Sequence, residues 1–312
     1  MKSDFLKDNL VNPSTNKKVK SFNDDHLVFQ DDSQFPISSG IPIIIDEIES
    51  LFKIKEIEAH APTTQDVNYR KDSLKNTIRK KVLPSLSKDF TVKKRYEELA
   101  SKVKNKKGLV IGAGDKVVYY NEIFKDSLLI TSDVHMQFYP DIVFDSHQIP
   151  FQDESFDFVI ACQVLEHTFK PWVVAGEMER VVKTGGYLLA EVPFNFPYHS
   201  PPYDFFRFTY TGLRSLFTTS ELVSYEAPEG VAASVATFNS QLFIHLFSNR
   251  YIKMIALFIS RFLFGWIKYL DAFYKNSSYR STLAPKGISM TFRKDGKKRK
   301  NSQLLEEYYK LK

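Results

Sequence analysis

The sequence predicts an α/β protein: a doubly wound sheet with helices on both faces, a small β segment ahead of it and a helical insert before the last strand. Three observations carry this. Between residues 107 and 226, short apolar runs alternate with helical stretches, the pattern of parallel strands joined by crossover helices. Several of those runs end in glycine or aspartate, where open α/β sheets bind their ligands. Composition is ordinary for a globular chain, with 43% apolar and 26% charged residues in 312.

The elements follow in order. Residues 1–46 are polar and close on Gln34-Phe35-Pro36-Ile37-Ser38-Ser39-Gly40-Ile41-Pro42-Ile43-Ile44-Ile45. A glycine turn into a β-branched run reads as a hairpin or edge strand, and Pro42 argues for an edge. Residues 47–106 read as a helical linker or cap. Val67, Leu74, Ile78 and Val82 share one helical face, as do Val92, Tyr96, Leu99 and Val103. The main domain is expected over 107–294. Its strands are Gly108–Ile111, Ser127–Asp133, Asp141–Asp145, Glu154–Ile160 and Tyr187–Val192, with a helix over Trp172–Val182, a turn at Lys183–Gly186 and a last strand at Gly287–Phe292. A helical insert is expected at about 235–275, and 295–312 reads as a basic tail.

The single cysteine, Cys162, excludes an internal disulfide and a multi-cysteine metal site, and fits a reducing compartment. No metal ligand set is expected. Net charge is +6, but Arg293–Lys312 carries eight Lys/Arg and three Asp/Glu, so the body is nearly neutral. A nearly neutral body argues against a nucleic-acid partner. No apolar run reaches the roughly 18 residues of a spanning helix, and the opening MKSDFLKDNL has no signal-peptide core, so the expected compartment is the cytoplasm.

The chemistry begins at the first strand. Gly112-Ala113-Gly114 turns that strand into a helix, and glycines there let a ligand approach the backbone, although a plain tight turn has the same signature. Asp133 ends the second strand, 19 residues beyond Gly114. It stands where a carboxylate accepts hydrogen bonds from a ribose diol, or where it caps a helix. Asp145 ends the third strand, and Gln163 follows the fourth.

Taken together, Val110-Ile111-Gly112-Ala113-Gly114, Asp133, Asp145 with Ile149-Pro150-Phe151, Ser155-Phe156-Asp157, Val164-Leu165-Glu166-His167, Glu179-Arg180-Val181-Val182-Lys183-Thr184-Gly185-Gly186 and Val192-Pro193-Phe194 resemble class I S-adenosylmethionine-dependent methyltransferases. The match runs through about 85 residues in order, and it is the ordered combination rather than any one piece that is specific. The resemblance implies a Rossmann-like, seven-stranded sheet and S-adenosylmethionine as cofactor. It implies that Gly112 and Gly114 line the methionine part, that Asp133 holds the ribose hydroxyls, that Asp145 meets the adenine amine and that Gln163 faces the methionine end or the substrate. Lys116 stands where these enzymes often have a third glycine. That departure supports the alternative of a catalytically inactive methyltransferase-fold binding or scaffold protein. Residues 1–46, through Phe35–Pro42, also resemble a small zinc-ribbon-like module that accompanies methyltransferases, but without its four cysteines.

After the fifth strand, Pro193–Thr209 is rich in aromatic rings with His199, Asp204 and Arg207 among them, a mixture that suits a substrate pocket. The run from His199 to Leu213 resembles the H-x-x-P-x-D-x-x-R-F-T-x-x-G-L pattern of a methyltransferase subset associated with bacterial surface-glycan biosynthesis. A hydroxyl acceptor needs a base, and His199 comes first and His167 second, because imidazole titrates near the working pH. Tyr198, Asp204 and Arg207 are the candidate substrate-binding residues. An Asp–Arg pair three apart also braces a loop, and Arg207 also suits a carboxylate or phosphate. The expected acceptor is a small molecule or a glycan- or lipid-linked one. Ser200-Pro201-Pro202-Tyr203 resembles the motif of amino-methylating enzymes but follows the wrong strand.

Residues 241–270, projected as one helix, put Arg250, Arg261 and Lys268 on a narrow basic stripe and aromatic and aliphatic residues around the rest. Burial as a lid or a dimer contact is the favoured reading. The other is a peripheral contact with the inner face of a membrane, assisted by the basic tail. The oligomeric state is open.

Overall fold

The computed structural model describes residues 2–59, 83–273 and 277–311. Helix α1 (Lys2–Asn9) leads into β1 (Val19–Phe22), β2 (His26–Phe29), β3 (Gln34–Ser38) and β4 (Ile41–Ile44). Then come α2 (Ile54–Glu58), α3 (Val92–Lys102), β5 (Lys107–Ile111), α4 (Val117–Ile123), β6 (Leu128–Asp133), β7 (Ile142–Phe144) and β8 (Phe156–Cys162). The chain continues through α5 (Pro171–Val181), β9 (Val182–Pro193), α6 (Tyr210–Arg214) and β10 (Ser220–Glu226). It ends with α7 (Val231–His245), α8 (Arg250–Phe264), β11 (Gly287–Lys294) and α9 (Asn301–Tyr309).

One sheet runs in the order β1-β2-β3-β4-β7-β6-β5-β8-β9-β11-β10. Neighbours from β4 to β9 are parallel, while β11 lies antiparallel between β9 and β10. The seven strands from β7 to β10 are the predicted sheet. The count of eleven arises because the N-terminal strands extend its edge. Alternate residues of the central strands face opposite cores, as a period of two requires. Leu109, Ile111 and Ile130 join one cluster, while Val110 and Leu129 join the other with Tyr96, Leu99 and Val103 of the α3 region. Helices therefore cover both faces, and the strand order reverses between β5 and β8, which opens a crevice at their carboxyl ends.

Several expectations change. β4 is an interior strand rather than an edge. Pro42 pairs only with Ile37 of β3, and the parallel pairing to β7 begins one residue later at Ile43, so the proline is never asked for a bond on that side. Ser39 and Gly40, both at positive φ, make the two-residue turn between β3 and β4. The expected turn at Lys183–Gly186 is a bulged part of β9, and a Cβ on Gly186 would meet the Asp157 carbonyl at 2.5 Å. The helix projected over 241–270 is two helices, because Asn249 caps α8 by accepting hydrogen bonds from the Tyr251 and Ile252 amides. Its stripe does not face water uniformly: Lys268 is buried and its ammonium donates to the Ser85 carbonyl. The tail is not free either, since α9 buries Leu304 and pairs Glu307 with Arg214. The helical face predicted at Val67, Leu74, Ile78 and Val82 lies outside the described residues.

Candidate functional site

A cleft of about 700 Å³, open mouth included, lies at the strand-order reversal. Its wall is the carboxyl edge of four strands: Ile111 at the end of β5 and Gly112 after it, Ser132 and Asp133 of β6, Asp145 after β7, and Gln163 and Val164 after β8. Gly112 has φ +63°, and a Cβ there would strike Val164 Cγ2 at 2.5 Å, so both conformation and space demand glycine. Gly114, at φ +52°, donates its amide to Asp133 Oδ2 at 2.8 Å. Asp133 is buried and also accepts from the His135 amide, and burial pushes its carboxyl above the usual range. Asp133 thus shapes the glycine turn as well as facing the cleft.

Burial alone would raise the Asp145 carboxyl too. It is nevertheless held low by hydrogen bonds from the His147 ring at 2.6 Å, the Ser50 hydroxyl at 2.5 Å and the His147 amide at 3.0 Å. The Lys170 amide donates to His147 Nε2, so the ring proton sits on Nδ1 and points at Asp145. Gln163 occupies the left-handed region at φ +58°, a conformation concentrated at functional sites. Its amide donates to the Glu191 carbonyl at 2.8 Å. Lys116 is exposed on the turn after Gly114 and does not line the cleft.

Two features were missed by sequence reasoning. Ser50, Leu51 and Phe52 carry the linker after β4 across the cleft, where Leu51 and Phe52 line it and Phe52 stacks on Tyr203 with centroids 5.9 Å apart. Nothing in a charged linker signals that role. Glu166, within the quoted Leu165-Glu166-His167 turn, is fully buried, and neither carboxylate oxygen has a hydrogen-bond partner. Burial pushes that carboxyl up to about 8, so it is neutral at pH 7.

Beside Glu166 stand the two candidate bases. His167 lines the cleft, and its Nδ1 meets the Tyr203 carbonyl, so it must donate there. That leaves Nε2 free of a proton, 3.8 Å from Glu166 Oε1. The His199 ring sits edge-on to His167 at 4.8 Å and to Phe196 at 4.9 Å. His199 Nδ1 lies 3.2 Å from Asp204 Oδ2 and 3.3 Å from Arg207 Nη2. That Nη2 also donates to Asp204 Oδ2 at 2.7 Å and the Pro197 carbonyl at 2.9 Å, and Asp204 Oδ2 accepts the His199 backbone amide at 2.7 Å, so Asp204 ties the loop together beside the imidazole. Burial lowers both imidazoles below their usual range and keeps them neutral.

Arg207 commits its remaining donors to Asp204 Oδ1 and the Phe196 and Phe206 carbonyls. A guanidinium so occupied braces the loop and has no donor left for a ligand. Tyr198 is exposed. Donor atoms of Glu166, His167 and His199 lie within 4.8 Å of one another, the set a cation would choose among the described residues. That spread exceeds the roughly 3.3 Å separating ligands bonded at 2.0–2.1 Å to one tetrahedral ion. The arrangement suits proton transfer better.

Residues 120–190 match the family described as a methyltransferase domain, which is less than a quarter of the chain. No curated protein sequence matches. Among solved structures, the chain is similar to an S-adenosylmethionine-dependent methyltransferase from Thermotoga maritima, at 13% identity over 65% of this chain and 89% of the other, with a TM-score of 0.41. It is similar to coclaurine N-methyltransferase bound to N-methylheliamine and S-adenosylhomocysteine, at 11% over 66% and 72%, TM-score 0.42. A third is an S-adenosylmethionine-dependent methyltransferase from Mesorhizobium loti, at 9% over 63% and 95%, TM-score 0.38. The matched stretch holds β6, β7, β8, α5 and most of β9, with Asp133, Asp145 and Gln163 on it. The strand order, the glycine turn and that match together identify the fold as that of the class I S-adenosylmethionine-dependent methyltransferases.

Proposed function

We propose that the protein transfers a methyl group from S-adenosylmethionine to a hydroxyl of a small or glycan- or lipid-linked acceptor. The cleft along Gly112, Asp133, Asp145 and Gln163 is the observation that supports it, because it sets a Cβ-free backbone and two carboxylates in one continuous wall. Gly112 and Gly114 would line the methionine part, Asp133 would meet the ribose hydroxyls, and Asp145, oriented by His147 and Ser50, would meet the base. When bound, the cofactor supplies a sulfonium methyl as electrophile.

The chain's own contribution is positioning and proton removal. The His199 imidazole, kept neutral by burial, is the proposed base, with His167 beside it against the cleft. Arg207 and Asp204 hold the loop, so they act as positioning residues. Leu51 and Phe52 shield the cleft from water. The test is calorimetry with S-adenosylhomocysteine: binding is expected, with Asp133→Ala weakening it roughly tenfold or more as charge-assisted hydrogen bonds are lost. A flat titration with folded, concentrated wild-type protein overturns the reading.

A further inference from the structure

We propose that the hairpin of α7 and α8, with the helical turn Ile267–Phe273 behind it, docks the protein face-on to an anionic lipid bilayer. The hairpin is built inside out compared with a water-soluble helix pair. Small residues face inward: Ala232, Ala233 and Ala236 of α7 and Ala256 of α8 are buried, and Ser240 and Ser260 bond across the interface at 2.8 Å. Large ones face out. Ile255, Phe258 and Phe262, at the three- and four-residue spacing of one face of α8, are 58%, 44% and 57% exposed, and Trp266 just beyond its end is 59% exposed. Leu242 of α7 is 65% exposed, and Phe273, closing the following turn, 85%. An apolar surface extending over two helices and a turn is far beyond the single scattered hydrophobes of an ordinary protein surface.

Charge chooses the occupant. From Gly230 to Leu270 there is no aspartate or glutamate, while Arg250, Lys253, Arg261 and Lys268 are basic. Arg250 is exposed and Lys253 half-buried at the start of α8. A second copy of this face would bring Arg250 and Lys253 no acid from Gly230 to Leu270 to pair with. An anionic bilayer complements them, and tryptophan and tyrosine such as Trp266, Tyr251 and Tyr269 suit its headgroup layer. No helix among the described residues is long and apolar enough to cross a membrane. Each 15-residue helix spans only about 22 Å against a hydrocarbon core of about 30 Å, so the hairpin lies in the interface.

The hairpin is fixed to the body rather than trailing from it. Asp271 accepts from the Gly230, Ala232 and Ala233 amides, at 3.0, 2.9 and 2.9 Å, and so caps the start of α7. Just before α7, Glu229 pairs at 2.6 Å with Lys286, whose ammonium lies 4.8 Å over the Phe196 ring. Phe196 in turn packs on His199. The docking face is thus rooted beside the loop that carries the proposed base.

The full chain is mixed with sedimentable vesicles of phosphatidylcholine alone or with a quarter phosphatidylglycerol. Binding to the anionic vesicles is expected, at least tenfold weaker in Phe258→Ser/Phe262→Ser. Arg250→Glu/Lys253→Glu is expected to remove the preference for anionic lipid. Circular dichroism confirms that each variant folds. This assay reads no cofactor and no methyl transfer, so its outcome is separate from that of the proposed activity. If the wild-type protein stays in the supernatant with both vesicles, the proposal fails. It fails equally if light scattering shows a stable dimer that Phe258→Ser/Phe262→Ser makes monomeric while vesicle binding is absent.

Discussion

His199 Nδ1 lies 3.2 Å from Asp204 Oδ2, and that carboxylate is itself clamped by Arg207 through two hydrogen bonds of 2.6 and 2.7 Å. The consequence is a carboxylate held beside the ring, placed to stabilise the imidazolium formed when His199 takes a proton. His199→Ala is therefore expected to lower kcat by about 10²- to 10⁴-fold, the range for loss of a general base, with S-adenosylhomocysteine affinity unchanged. Burial lowers the His199 imidazole, so kcat/KM should be flat through neutral pH and fall only below the ordinary imidazole range, where the ring becomes protonated. A radiolabelled methyl-transfer assay with the acceptor reads both. Full activity in His199→Ala would remove it from the role.

Glu166 makes a second pH-dependent prediction, this time of stability. Burial penalises the anion and pushes its carboxyl up to about 8 in the folded state, from 4.5 for an exposed glutamate. The folded state therefore holds a proton that the unfolded state has released between those values, and stability is lost as pH rises through that window. The slope at its middle approaches roughly 1.4 kcal/mol per pH unit. Glu166→Gln, which stays neutral, should flatten the dependence, so that the melting temperature at pH 8 approaches that at pH 5. Parallel curves for wild type and variant would contradict the assignment.

The features that sequence made legible are those written into local backbone demands. Gly112 and Gly114 mark a turn that needs positive φ, and Asp133, Asp145 and Gln163 follow strands whose apolar runs are unmistakable. The parallel sheet and its carboxyl edge follow from them. What stayed hidden depends on contacts between distant segments. Ser50 reaches Asp145 across 95 residues of chain, and no local pattern announces that. Pro42 signalled an edge, yet β4 is interior because its second neighbour begins pairing only at Ile43. The residues of 241–270 were correctly seen as amphipathic, but hydrophobicity alone cannot say which side of a helix faces the body. The small residues Ala256 and Ser260 do so only once the Ser240–Ser260 contact is seen.

Gly112 tests the cofactor wall directly. Gly112→Ala places a methyl 2.5 Å from Val164 Cγ2 and forces an L-residue to φ +63°, at a cost of about 1–2 kcal/mol from conformation alone. The turn must then shift, moving Gly114 and the Asp133 carboxylate that its amide meets. S-adenosylhomocysteine affinity is expected to fall at least tenfold by calorimetry, with only a few degrees lost in thermal unfolding. Wild-type affinity in Gly112→Ala would show that this backbone does not border the ligand.

Arg214 is fully buried, and its charge is met by Glu307 of α9, 93 residues further along the chain, with Nη2 to Oε1 at 2.9 Å. Its other hydrogen bonds go to the Phe217 and Ser220 carbonyls, so Glu307 is its one salt-bridge partner among the described residues. Glu307→Ala strands a cation in the core. Because Glu307 keeps some exposure, the expected loss sits at the low end of the cost of breaking a buried pair, about 3 kcal/mol. Arg214→Met/Glu307→Leu removes both charges and fills their space, and should recover most of that loss. Thermal unfolding separates the cases. A melting temperature unchanged in Glu307→Ala would mean that water replaces the carboxylate and that α9 is no part of the folded core.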